Sequence, residues 1–393
     1  MVKFAERAMM EQDPAVLQML EIAERPEVIS FAGGLPAPET FPVAEISDIM
    51  VEIMATEGSR ALQYSSAQGL QKLREQIAER MYRVFGAKVT ADEILITSGS
   101  QQGLDLTGKV FLDKDDVVFC ESPTYMAAIN AFRSYQPQFI SIAADAEGMV
   151  VPELEKRIQE NPRAKLVYVI PDFQNPTGNT WSVERRREFI NMVKKYDIAV
   201  IEDNPYGELR FEGQLRQSIK SMDTKGQVVY LGTFSKTFCP GLRLGWVAAA
   251  PPVLEKYLDF KQTADLHTAS LTQLCLAKYM EKYSLDENVE SIKDVYRVRR
   301  DVMLECIEKE FPENVHTQPQ GGLFIWAELP EGVNAAELLD KALAQNVAYV
   351  PGGAFFANGG HKNTMRLNFS NMPEDKIREG IKRLGKVLKE EIK

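Results

Sequence analysis

Four apolar runs of this chain open, at their carboxyl ends, into residues able to do chemistry. The run 93–97 leads into TSGSQQG, 165–171 into DFQNPTG, 198–203 into Asp203-Asn204-Pro205-Tyr206, and 227–235 into Ser235-Lys236-Thr237. A lysine at the end of a buried strand is costly as an ammonium, so burial lowers its pKa and favours a neutral amine able to condense with an aldehyde. Seven residues beyond Lys236, Arg243 can supply a fixed cation for a phosphate, and Thr233 and Ser235 can supply hydroxyl donors. A lone strand-end lysine is most often surface decoration; the flanking hydroxyls and Arg243 change that reading. Asp203 closes the apolar run IAVIED, where an ionised carboxylate needs a partner. A protonated pyridine nitrogen would be such a partner and would keep a ring able to withdraw electrons from a carbanion. A turn or helix-cap Asp is the plainer alternative. Tyr206, three residues on, can reach the phenolic oxygen of the same ligand.

Weaker signals gather around these. Asn175 lies in QNPTG, which Asn-Pro and Gly explain as a turn, yet its amide can also donate to a phenolate. Ser100 and Gln101 precede an amphipathic stretch, and backbone N–H groups at a helix N-terminus make an anion site. Tyr125, at the start of the next helix, can stack on an aromatic ring or simply pack in the core. Arg366, in the strand TMRLNFS that should be half buried, wants a planar anion: a ligand carboxylate, or a neighbouring acid in a salt bridge.

The elements that must hold these groups follow from hydropathy. Between about Ala91 and Ala250, nearly all-apolar runs of strand length (93–97, 116–121, 138–143, 165–171, 198–203, 227–235, 245–250) alternate with helical patterns such as 182–196. Such runs read as strands buried on both faces, hence a mostly parallel sheet in an α/β fold with helices on either side. In open sheets of this kind ligands bind beyond the carboxyl ends of the strands, where the reactive residues stand. After about Ser284 come a long charged helix (287–309), GGLFIWAEL, a helix near 334–345, two short strands and a terminal amphipathic helix from Pro373, the texture of a smaller α+β domain. The first thirty or so residues hold one helix, Pro14 to Ala23, then a turn-rich segment that must pack on another part of the protein.

The chain has 393 residues and 45% hydrophobic content, enough for two domains and a cleft between them. A net charge of −10 argues against a nucleic-acid backbone as partner. Cys120, Cys239, Cys275 and Cys306 lie far apart, as do His267, His316 and His361, so no metal site is expected and the cysteines read as reduced thiols of a cytoplasmic protein. Glu6 and Glu11 interrupt what a signal peptide would need, and no apolar run approaches the roughly 20 residues of a membrane span.

In order and spacing, these residues resemble the fold-type I pyridoxal-phosphate (PLP) aminotransferases, the class I/II family, over essentially the whole chain. The likeness is greatest to the 2-aminoadipate, kynurenine and broad-range aminotransferases. It is carried by SFAGGLPAPETFP (30–42), LQYSSAQG (62–69), SGSQQ, QNPTG, EDNPY, GTFSKTFCPGLRLGW, GGLFIW and VPGGAFFANG. The resemblance implies a three-layer αβα large domain at 44–284 and a smaller α+β domain formed by 1–43 with 285–393. It implies that Lys236 carries PLP as a Schiff base and moves the proton at the substrate Cα, with Asp203 on the ring nitrogen, Asn175 and Tyr206 on the ring oxygen, and Tyr125 stacked on the ring. Ser100, Gln101, Thr233, Ser235 and Arg243 would hold the phosphate. Tyr64 would reach the phosphate of a neighbouring subunit, which implies a homodimer. Arg366 would grip the substrate α-carboxylate, assisted by Asn175 and the backbone at Gly34. An amino acid (aliphatic, aromatic or 2-aminoadipate-like) and a 2-oxo acid, 2-oxoglutarate foremost, would then react by a ping-pong route.

Some relatives use an arginine of the N-terminal helix for the aminoadipate side chain, but here no arginine lies between Arg7 and Arg25, and Val16 and Leu17 hold the middle of that helix. This puts aminoadipate in doubt and favours apolar donors. Two rival readings share the fold: a PLP-dependent C–S β-lyase, and the sensor domain of a transcriptional regulator. The second needs a basic DNA-binding segment for which the sequence leaves no room, since the catalytic pattern begins by Phe31.

Overall fold

The computed structural model describes residues 2–9, 25–312 and 314–392. The helix expected at Pro14 to Ala23 lies outside them. An eight-stranded sheet forms the centre, in the order Ile94–Thr97, Gly245–Ala248, Val228–Thr233, Ala199–Asp203, Ala164–Val169, Val117–Ser122, Gln138–Asp145 and Gly148–Met149. The four pairings among the strands 117–122, 138–145, 164–169, 199–203 and 228–233 are parallel, while Gly245–Ala248 runs antiparallel to both of its neighbours.

The continuous apolar runs are explained by burial on both faces. Leu166 and Tyr168 pack on one side with Leu104, Phe132, Leu254 and Tyr257, whereas Val167 and Val169 pack on the other with Leu154, Phe189 and Ile190. Period-2 alternation therefore sorts side chains between two cores instead of between core and solvent. Helices Ser100–Phe111, Met126–Arg133 and Pro251–Asp265 cover the first face. Val151–Glu160 and Val183–Val193 cover part of the second, the latter started by Ser182, whose hydroxyl accepts from Arg185 N at 3.1 Å. The rest of that face is closed by Val43–Ala61 and Gln71–Phe85, two helices outside the elements read from sequence, with Ser270–Lys282.

The carboxyl-terminal part holds Leu285–Glu310, the antiparallel strands Val315–His316, Phe324–Glu328, Thr364–Asn368 and Val350–Pro351, and the helices Ala335–Ala344 and Glu374–Glu391. The turn-rich N-terminal segment packs here: Ile29–Ser30 pairs in parallel with Val347–Ala348, and Ala37 N donates to the Tyr296 hydroxyl at 2.9 Å. One expectation is corrected. The strand carrying Arg366 is wholly buried, not half buried, and Arg366 itself is 3% exposed. The reason is that the segment 31–35 and the loop at Asn175 cover the face that an edge sheet would have shown to water.

Candidate active site

A cleft of about 350 Å³ opens beyond the carboxyl ends of the central strands, between the large sheet and the small one. The turn after Thr97 brings Ser100 and Gln101 to it; that after Ser122 brings Tyr125; the segment past Val169 brings Asn175; and the strand end itself brings Asp203, with Tyr206 one turn on. Thr233, Ser235, Lys236 and Arg243 enter from the next strand and the loop behind it, Arg366 from the small sheet, and Gly34 from the N-terminal segment. All the candidates named from sequence line this one cleft except Tyr64. That residue is 78% exposed, set edge-on to His267 with ring centroids 5.8 Å apart.

Lys236 is half-buried and donates to Gly34 O at 2.7 Å. Burial, then the charges of Arg366 and Arg243, pull its amine down to about 8, so a useful fraction is neutral near pH 7. Asp203 is buried, and burial pushes its carboxyl up to about 7 against the lowering effect of one hydrogen bond, from Tyr168 Oη to Oδ2 at 2.8 Å. Among the described residues Oδ1 of Asp203 has no hydrogen-bond partner. A carboxylate so placed is completed by a cation brought with a ligand.

Arg366 donates through Nη1 to Asn175 Oδ1 at 2.8 Å and through Nη2 to Ala32 O at 2.6 Å. Its guanidinium lies 4.2 Å from the Phe324 ring centre and 4.9 Å from that of Phe355. No carboxylate is bonded to it among the described residues, and Nε is unpartnered, so it is not tied up in a salt bridge. Burial lowers its pKa only to about 10, and it stays charged. Asn175 Nδ2 reaches the Tyr206 hydroxyl at 3.4 Å.

The other end of the cleft is a polar cup. Helix Ser100–Phe111 begins at Gly99, whose φ of 80° favours glycine, and no side chain caps its first N–H groups. A Cβ at Gly99 would stand 2.4 Å from Arg243 Nη2, and one at Gly245 would stand 2.8 Å from Ser100 N. The hydroxyls of Thr233 and Ser235 lie 2.9 Å apart beside it. Helix N-terminus, hydroxyls and Arg243 together form an anion site of phosphate chemistry. The unpartnered Asp203 oxygen, the depressed lysine and this cup are what a phosphorylated pyridine aldehyde requires, and the three are connected by one cavity.

Several lining residues carry no signal of their own in the sequence: Gly33, Leu35, Met126, Ala127, Ile170, Pro205 and Phe324. Tyr168, behind the lining, was also missed, although as the only hydroxyl in the run KLVYVIP it is a buried phenol that needs a partner. No cluster of His, Cys, Asp and Glu suited to a metal ion occurs among the described residues. Nor is any helix among them long and apolar enough to cross a membrane.

Comparison with known proteins identifies the family. Residues 27–384 match the family described as Aminotransferase class I and II. The chain is 46% identical to aromatic-amino-acid aminotransferase 1 of Thermococcus litoralis, over 99% of its own length and 95% of the relative's. It superposes on the kynurenine aminotransferase of Pyrococcus horikoshii with a TM-score of 0.94 at 44% identity, covering 99% of this chain and 98% of that one. The α-aminoadipate aminotransferase LysN of Thermus thermophilus, solved with N-(5'-phosphopyridoxyl)-L-leucine, is similar at a TM-score of 0.92 and 40% identity, over 98% and 97% of the two chains.

Proposed function

This chain belongs to the class I and II aminotransferases and transfers amino groups with pyridoxal 5'-phosphate, and we propose that it takes them from apolar or aromatic L-amino acids and delivers them to 2-oxoglutarate by a ping-pong route. The observation that carries the donor class is the cation count of the cleft. Among the described lining residues only Lys236, Arg243 and Arg366 are cationic, and each has a task that leaves none for an acidic side chain. Leu35, Met126, Ala127, Ile170, Pro205 and Phe324 offer the remaining surface, which favours apolar donors by burial. A second carboxylate meets no dedicated arginine among these residues, so 2-oxoglutarate binds chiefly through the carboxylate beside its oxo group. The names of the relatives, aromatic and kynurenine aminotransferases among them, support the aromatic part of this reading.

When bound, PLP supplies an aldehyde that condenses with amines and a pyridinium ring that takes up the electron pair left by a broken Cα–H bond. Lys236 would hold the cofactor and, as a free amine, would move the proton away from the substrate Cα as a base. Asp203 holds the positive charge at the ring nitrogen. Asn175 and Tyr206 would donate to the ring oxygen, and Tyr125 would cover the ring face. Ser100, Gln101, Thr233, Ser235 and Arg243 hold the phosphate. Arg366 grips the substrate α-carboxylate, with Asn175 and the Gly34 backbone orienting it. Tyr64, exposed on one chain, reaches the phosphate cup of a second copy in a homodimer. The large domain is 44–284, the small one 1–43 with 285–393, and the enzyme is cytoplasmic.

Adding single amino acids to the purified holoenzyme, with no oxo acid present, tests this directly. Leucine, methionine or phenylalanine should shift the visible cofactor band to the shorter-wavelength band of its amine form, and 2-oxoglutarate should restore it. Conversion by 2-aminoadipate and by none of these three would refute the donor class. Release of pyruvate and ammonia from a cysteine conjugate without an acceptor would instead identify a β-lyase.

A further inference from the structure

Asp203 does not meet the cofactor alone. Tyr168 stands on the neighbouring parallel strand, opposite Ile201, and Asp203 lies two residues further along on the same face of the sheet. The Tyr168 ring is 1% exposed and sits edge-on to Phe132, with centroids 5.7 Å apart. So held, its hydroxyl has one acceptor, Oδ2 of Asp203 at 2.8 Å, and that bond leaves Oδ1 as the free oxygen of a buried carboxylate.

We propose that Tyr168 is a positioning residue for the cofactor's ring nitrogen: by occupying Oδ2 of Asp203 it fixes the plane of the carboxylate and reserves Oδ1 for the N–H of the pyridinium. This rests on the reading of Asp203 as the ring-nitrogen partner. Two consequences follow from one bond. The first is geometric: a carboxylate anchored at one oxygen cannot turn away from the ring. The second is electrostatic: a donor on the ionised form keeps the proton on the ring nitrogen and off Asp203. The hydrogen bond is the one lowering influence on the Asp203 carboxyl against burial. The other groups that feel Asp203 are the phenols of Tyr125, Tyr206 and Tyr230, none of them cations. Tyr168 is outside the cleft lining, so it acts through Asp203 and touches neither substrate nor cofactor.

Tyr168→Phe removes the hydroxyl and keeps the ring packed on Phe132. The holoenzyme reconstituted with PLP carrying ¹⁵N in the ring reports the ring-nitrogen proton directly by NMR. In the variant that nitrogen should lose its proton at a pH about one unit lower, and PLP should bind about tenfold more weakly, the ratio expected for one hydrogen bond to a charged group. The analogue with carbon in place of the ring nitrogen should bind both proteins equally. An unchanged nitrogen titration, or an equal loss of affinity for PLP and the carbon analogue, overturns the proposal, since either would mean that the hydroxyl serves only the packing. Should the variant not fold, 3-fluorotyrosine at position 168, a stronger donor of the same shape, should move the nitrogen titration upward; no movement overturns the proposal too. Failure of the wild-type protein to hold its ring nitrogen protonated would instead sink the reading of Asp203, a result distinguishable from either.

Discussion

Two buried aspartates stand at the ends of neighbouring strands and are treated in opposite ways. Asp172 is closed: Arg186, with a side chain 0% exposed, meets both of its oxygens at 2.7 and 3.0 Å, and the same guanidinium donates to the carbonyls of Pro171, Trp181 and Gln217. Asp203 is open: one phenol donates to one oxygen, and the other oxygen has no partner among the described residues. A buried charge that serves the fold is satisfied by the chain itself. One that serves a ligand is left incomplete, and the protein bears the desolvation until the ligand arrives.

The largest effect expected from breaking this contrast is at Arg186. Arg186→Met strands Asp172 as an unpaired buried charge, and urea unfolding of the apoprotein should show a loss of about 3–5 kcal/mol. Asp203→Asn is the converse. It should cost about 10²–10³-fold in kcat, the scale on which a preorganised electrostatic partner matters. Its urea midpoint without cofactor should be no lower than wild type above neutral pH, because the substitution removes an incomplete buried charge. A midpoint that falls as far as that of Arg186→Met would erase the distinction between the two sites.

A smaller effect lies in pH dependence. Burial holds the folded-state pKa of Asp203 at about 7, above the value of 3.8 for a free carboxyl. A raised carboxyl contributes stability in full below the lower value and loses it as pH rises through the upper one. The apoprotein should therefore weaken relative to Asp203→Asn between pH 3.8 and about 7. Glu121 and Glu202 are raised by burial in the same direction, to about 7, and act in both proteins, so the difference isolates Asp203. Thermal denaturation across this range checks it, and a constant difference would refute the assignment. The smallest effect is expected at an exposed pair: Lys256→Met, which breaks a 3.3 Å contact to Asp259 with both side chains 58% exposed, should change the unfolding free energy by less than about 1 kcal/mol.

The contrast also marks what the sequence made legible. The strands around both aspartates stand out as apolar runs because each is buried on two faces. Lys236 and Asp203 stand out because charged groups at the ends of such runs need a reason, Arg243 as a cation seven residues beyond Lys236, and Arg366 as a charge inside a strand. Which charge is satisfied was not legible. Asp172 and Asp203 each follow an apolar run, and only the arrival of Arg186 from the helix Val183–Val193 separates them. Tyr168 and Phe355 escaped for a related reason: their roles depend on a neighbour in space, Asp203 for one and Arg366 for the other, with no spacing in the chain to announce it. The full burial of Arg366 depends likewise on the N-terminal segment crossing over it.

That crossing has a consequence for how the protein is made. The carbonyl of Ala32 is bonded to a residue 334 positions later in the chain, and the carbonyl of Gly34 to one 202 positions later. One wall of the cleft is thus among the first parts to be synthesised and must wait, unpaired, for strands translated hundreds of residues afterwards. The central sheet can assemble while the ribosome is still working. Lys236 gains its enclosure only when late and early segments meet, so a nascent or truncated chain can own a nearly complete sheet and still lack a closed cleft.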